Sequence, residues 1–212
     1  MLPLSAARPA NSGKIMENEL RITQLSTEQL STLCMDCYKE SRKDHIRGCV
    51  ETISDLAEKW LPESAELLVR TAYLHDITKR FSHPSQLILC EKYDILLSDE
   101  DLQSPAVIHA VTGAAVAEKF FGEASVVVKA VRYHTTGRAG MSMEEILMFL
   151  ADMIEPNRSY PELEEIRQAV KLHPYIGLEV ALKRSLEFIE SKGRHIHRDT
   201  VEAYDWIRLH NL

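Results

Sequence analysis

The sequence predicts an all-α fold, on three observations. Gly and Pro number only 8 each in 212 residues, too few for the turns that a hairpin-rich chain of this length needs. Apolar residues recur at spacings of three and four through most of the chain, the period of one helix face. Serines followed three residues later by Gln or Glu stand ahead of two of these runs, as in a helix-capping box.

Taken in order, residues 1 to about 20 are expected to form a disordered tail, since they are rich in Ala, Ser, Pro and Asn and lack periodicity. Residues 21–212 are expected to form one domain. Ser26 with Gln29 caps a first helix running to about Glu40. A second, from about Arg42 to Trp60, carries Ile46, Val50, Ile53, Leu56, Ala57 and Trp60 as a stripe. Pro62 suits the first turn of a third helix, which continues through Leu67, Leu68, Ala72 and Leu74 into His75-Asp76. Pro84 opens a short helix, and Pro105 another that runs to Phe121. Residues 123–134 lead to the turn-like Thr135-Thr136-Gly137; the Val126-Val127-Val128 run has strand propensity but stands alone. Ser142 with Glu145 caps Ile146 to Ile154, which stops at Pro156. An amphipathic stretch from Pro161 to Ser191 is broken near His173-Pro174, and Asp199 with Glu202 caps a last helix through Leu209.

Composition narrows the function. Hydrophobic residues at 45% and charged residues at 27% are ordinary for a soluble globular chain, and 24.2 kDa is enough for one substantial core. A formal net charge of -7 argues against a broad nucleic-acid footprint, which needs many cations facing phosphates. No apolar run approaches the roughly 20 residues of a membrane span, and the N-terminus lacks the apolar run of a signal peptide. Four cysteines fit a reduced, cytoplasmic protein. Cys34 and Cys37 form a C-x-x-C pair, read here as two small residues on an amphipathic helix because no second pair accompanies them. The sequence leaves a homodimer open, since an interface face and a core face of a helix read alike.

The chemistry-bearing residues sit in telling places. His75-Asp76 ends the apolar run Ala72-Tyr73-Leu74, and Asp152 follows Met148-Phe149-Leu150-Ala151. Burying a carboxylate beside a core-facing run is costly unless a positive charge neutralises it. A divalent cation would do so, and imidazole with carboxylate suits iron, manganese or zinc. His45 and Asp152 must then arrive from other helices. Arg42, Lys79 and Arg158 each lie close in sequence to one of these four, and Arg and Lys are the side chains that clamp polyanions. A bound cation that activates water and polarises a phosphoryl oxygen supplies what phosphoanhydride cleavage requires.

The pattern His45, His75-Asp76, Asp152 resembles the HD superfamily of metal-dependent phosphohydrolases, and more specifically the YqeK-type HD proteins, the symmetrical diadenosine tetraphosphate hydrolases. The resemblance rests on RKDHIRGCV (42–50), AYLHDITKR (72–80), IHAVTGA (108–114), HTTGRAGMS (134–142) and FLADMIEPNR (149–158), and extends through IHRDTVEAYDWI (196–207). It implies an HD-domain helical bundle with His45, His75, Asp76 and Asp152 as metal ligands. Iron is the implied metal, with manganese or cobalt as substitutes, in one or two ions. His109 and His134 would hold a second ion or contact phosphates, and with Asp76 they are the catalytic candidates. Arg42, Asp76, Ile77, Thr78, Lys79, His109, His134, Thr135, Asp152 and Arg158 would surround the nucleotide, and Thr136 and Gly137 would shape its pocket. The implied reaction is attack of metal-activated water on a central phosphorus of diadenosine tetraphosphate, giving two ADP. Its rivals are hydrolysis of a mononucleotide, a cyclic nucleotide or a guanosine polyphosphate, and a catalytically weak nucleotide sensor. Relatives carry LHGPxGA where this chain has Ile108-His109-Ala110-Val111-Thr112-Gly113-Ala114, which keeps the histidine and later glycine and replaces the Gly-Pro turn.

Overall fold

The computed structural model describes residues 25–210; the tail expected over residues 1–20 lies outside the described residues. Among the described residues there are eleven α-helices and no strand.

Helix α1 (Thr27–Cys37) opens on the expected reciprocal cap of Ser26 and Gln29 and stops three residues short of Glu40. Helix α2 (Glu40–Trp60) follows. Pro62–Ser64 form a 3₁₀ turn before α3 (Ala65–Leu74). The third helix therefore ends just before His75-Asp76 rather than containing them. Residues 75–80 continue as tight turns, with Ile77 N–H donating to Leu74 O and Lys79 N–H to Asp76 O. This three-residue bonding tightens the spiral beyond the α-helical 100° per residue.

Helix α4 (His83–Lys92) carries Pro84 in its first turn. Helix α5 (Asp99–Gln103) was not expected. It is too short for a stripe, and its capping box uses Asp101 where the usual pattern has Glu or Gln. Pro105–Val107 form a 3₁₀ turn, so α6 (Ile108–Lys119) begins three residues later than Pro105 suggested. The Ala110-Val111-Thr112 segment is helical and buried, so no Gly-Pro turn is needed there.

The three valines lie in helix α7 (Ser125–Tyr133), where burial of Val127, Ala130 and Val131 on one face overrides their strand propensity. Helix α8 (Met143–Ile154) starts on the Ser142–Glu145 box as expected. Helices α9 (Leu163–Leu172) and α10 (Pro174–Ser191) part at His173, whose ring accepts from Tyr175 N–H. In α11 (Arg198–His210) Asp199 lies inside the first turn, and the ring of His197 accepts from its N–H in place of the expected Asp199 cap.

Helix α8 is the axis of the molecule. Every residue from Glu145 to Asp152 is buried, the mark of a helix covered on all sides. Helices α2, α3, α7, α9 and α10 pack around it, and Ile146 to Ala151 meet Ile53, Leu68, Ala130, Ile166, Leu178 and Ile207 in the main core. A second apolar cluster joins α1, α3, α6 and α7 through Leu30, Cys34, Leu74, Ala117, Val127 and Val131. Between the two clusters the ends of α3 and α7, the starts of α2 and α6, and the last turn of α8 converge.

Candidate metal centre

Four imidazoles meet in that gap. His75 Nδ1 is 2.8 Å from Ala72 O, His109 Nδ1 is 2.8 Å from Ala106 O, and His134 Nδ1 is 2.7 Å from Val131 O. A carbonyl only accepts, so each Nδ1 carries the proton and donates it, leaving Nε2 bare. His45 Nδ1 donates likewise, to Glu155 Oε1 at 3.1 Å. The bare nitrogens then face one another in pairs, His45 Nε2 with His75 Nε2 at 3.3 Å and His109 Nε2 with His134 Nε2 at 3.2 Å. Two lone pairs cannot bond to each other; both are satisfied by a shared cation.

Asp76 joins the pairs. Its Oδ2 lies 3.7 Å from His45 Nε2 and 3.5 Å from His75 Nε2, while Oδ1 lies 3.1 Å from His109 Nε2 and 3.6 Å from His134 Nε2. This carboxylate is fully buried, and Oδ1 accepts no well-formed hydrogen bond although Lys79 Nζ stands 3.2 Å away. Asp152 Oδ1 closes the His45 side, 3.1 Å from His45 Nε2 and 3.9 Å from His75 Nε2. Ligand atoms of His45, His75 and Asp152, and those of His75, Asp76 and His134, each lie within 4.8 Å of one another. Nitrogen and carboxylate donors at such spacing, with a buried oxygen lacking a donor, fit a divalent cation.

Charges follow from burial. Burial pushes the pKa of His134 down to about 4 and holds His75 and His109 well below the ordinary imidazole range, so all three are neutral donors at neutral pH. Burial alone would raise Asp152, but the Arg158 guanidinium paired with it outweighs burial and keeps the carboxyl ionised.

The remaining expected residues divide. Arg42 pairs with Asp76 Oδ2, and Arg158 pairs with Asp152 Oδ1 while its Nε donates to Asp152 O at 2.8 Å. Both guanidiniums, with Lys79, therefore stand at the mouth. Thr78 faces away, its hydroxyl donating to His109 O at 2.8 Å and meeting Thr112 Oγ1 at 2.8 Å, which ties the end of α3 to α6. The Ile77 side chain packs in the second apolar cluster. Thr135 follows His134, and its Oγ1 is buried without a hydrogen-bond partner. Arg138 is held by Glu145 through two hydrogen bonds of 2.9 and 2.8 Å, so it braces the 137–142 turn. Of the other histidines, His83, His195 and His210 are exposed, while His173 and His197 act as caps, His197 from a buried position.

Two neighbours of the centre carried no sequence signal of their own. Glu155 holds His45 from behind, and its partner lies 110 positions earlier in the chain. Cys49, one turn after His45, places Sγ 3.5 Å from Nε2 and 3.9 Å from Nδ1; being nearly equidistant, it lies across the ring rather than ahead of Nε2. Cys34 and Cys37 are free thiols in α1, and burial pushes Cys34 up to about 12, far from a reactive thiolate.

All four expected ligands fall within residues 42–157, the stretch matched by the HD domain family. The chain belongs to the HD-domain family. This HD-domain protein is 31% identical to the "Bis(5'-nucleosyl)-tetraphosphatase, symmetrical" of Bacillus subtilis, over 79% of its own length and 90% of the relative's. It is 34% identical to the protein of the same name from Halalkalibacterium halodurans, over 80% and 90% respectively. Its fold matches a solved structure titled as a predicted HD superfamily hydrolase involved in NAD metabolism from Clostridium acetobutylicum, with TM-score 0.81 and 28% identity, covering 88% of this HD-domain chain and 98% of that one.

Proposed function

We propose that this chain is a metal-dependent symmetrical hydrolase of diadenosine tetraphosphate and related dinucleoside polyphosphates, releasing two ADP. The observation that carries the reading is the pairing of four bare Nε2 atoms about the two oxygens of Asp76. The names of the tetraphosphatase relatives support the substrate. Iron is the proposed ion, with manganese or cobalt as substitutes, in one or two sites. Bound there, a divalent cation supplies Lewis acidity, lowering the pKa of water and polarising a phosphoryl oxygen.

The protein's own side chains do the rest. Lys39, Arg42, Lys79 and Arg80 line a cavity of about 200 Å³ that reaches Asp76, which gives a phosphate chain four cations along its course. A second cavity of about 600 Å³ is lined by Ala106, Val107, Thr135 and His195 among others; Ala106 accepts the His109 Nδ1 proton and Thr135 follows His134. Water attacks one of the two central phosphorus atoms, and the bond to the oxygen bridging them breaks. His109 and His134 turn unprotonated nitrogens inward, so their role in this scheme is to hold an ion rather than to give the leaving phosphate a proton.

Residence in the cytoplasm belongs to the same proposal, supported by four unpaired cysteines; among the described residues no helix is long and apolar enough to cross a membrane. So do ADP as product, the lack of a nucleic-acid partner, for which the net charge of -7 speaks, and assembly as a homodimer, read by light scattering. Chromatography of the products formed with iron, manganese or cobalt tests the activity. ADP as sole product from diadenosine tetraphosphate is expected. ATP with AMP, turnover only of another nucleotide, or tight ADP binding without hydrolysis would each defeat the proposal.

A further inference from the structure

The four site histidines are not supported alike. His75, His109 and His134 give their Nδ1 protons to backbone carbonyls, whereas His45 gives its proton to the Glu155 carboxylate. Glu155 is the residue at which the chain leaves α8, three positions after Asp152, and its side chain is 1% exposed. The second oxygen of this buried anion accepts from Asn157 N–H at 2.7 Å and from Asn157 Nδ2 at 3.0 Å. Asn157 Nδ2 also donates to Asp44 O at 2.9 Å, which fastens the carboxylate to the turn of α2 that carries His45. Arg167 of α9 pins the backbone here, donating to the carbonyls of Ile154 and Glu155.

Helix α2 is shaped to admit this group. A Cβ at Gly48 would stand 2.2 Å from Glu155 Oε2 and 2.9 Å from Asn157 Nδ2. Glycine inside a helix weakens it relative to alanine, and here its bare Cα leaves the space that the carboxylate fills.

We infer that Glu155, seated through Gly48 and Asn157, is a positioning residue of the metal centre that fixes the orientation of His45 and strengthens its Nε2 as a donor. The inference rests on the proposal that His45 holds an ion. A carboxylate accepting the Nδ1 proton draws it away from the ring and pushes electron density toward Nε2, which a neutral carbonyl does less. The ion on the His45, His75 and Asp152 side is then held more tightly than one on the His109 and His134 side.

Cobalt(II) affinity, measured by competition with a chelator and followed by the visible absorption of the bound ion, tests this. Glu155→Gln keeps an acceptor and removes the charge, and should weaken binding roughly 10- to 100-fold. Gly48→Ala leaves the carboxylate intact but displaces it, and should weaken binding in the same direction. Excess cobalt should restore hydrolysis in both variants. Imidazole nitrogen NMR of the zinc-loaded wild-type protein gives a reading free of any folding defect: His45 should carry its proton on Nδ1, further downfield than that of His75. Wild-type cobalt affinity in both variants, or a His45 without a proton on Nδ1, would overturn the role of Glu155. A wild-type protein that takes up no divalent ion would instead overturn the metal centre beneath it.

Discussion

Asp76 touches more of the centre than any other side chain, since its two oxygens face different imidazole pairs and Arg42 leans on one of them. Asp76→Ala should lower turnover of diadenosine tetraphosphate by on the order of a thousandfold or more, several kcal/mol of barrier, while far-UV circular dichroism keeps the helical signal. Arg158→Lys keeps the charge but loses the second donor that Nε gives to Asp152 O; KM should rise about tenfold in steady-state kinetics, because a point charge replaces a planar fork. At this scale the sequence was informative where a polar residue ends an apolar run, as at His75-Asp76 and Asp152. It was silent on Glu155 because nothing local distinguishes a buried carboxylate from an exposed one when its partner lies 110 positions away. The side chains of Thr78 and Ile77 turn away from the gap because the chain leaves α3 in tight turns, and those turns have no composition signal.

Helix α8 sets the position of Asp152 at one end and takes its start from Ser142 at the other. Ser142→Ala removes one half of the capping box and should cost about 1 kcal/mol in urea unfolding. Leu147→Ala leaves a hole in the fully buried middle of the same helix and should cost about 2–5 kcal/mol by the same measurement. The helices legible in the sequence were those with a long stripe or a Ser–Glu type cap, such as α2 and α8. Helix α5 escaped because five residues are fewer than two turns, too little for a period to show. Val126 to Val128 have strand propensity but stand alone, and they lie in a helix as an all-α fold requires. β-branched residues follow whatever surface buries them, and here that surface is a neighbouring helix rather than a sheet.

Over the whole molecule the buried imidazoles link stability to pH. His134 titrates near 6.5 when unfolded and about 4 when folded, so between those values the unfolded chain binds the extra proton. Stability is therefore full above pH 6.5 and declines as pH falls toward 4, with His75 and His109 adding in the same sense. Thermal melts of metal-free protein across that range should show the midpoint falling with pH. Adding a divalent ion at neutral pH should raise the midpoint in proportion to the logarithm of its concentration. His45 lies near the start of the matched stretch, His75 and Asp76 further into its first half, and Asp152 with Glu155 near its end, so an ion among them works as a crosslink between distant parts of the backbone. During synthesis His45, His75 and Asp76 emerge first, and the crosslink is complete only when Asp152, at the end of α8, has left the ribosome.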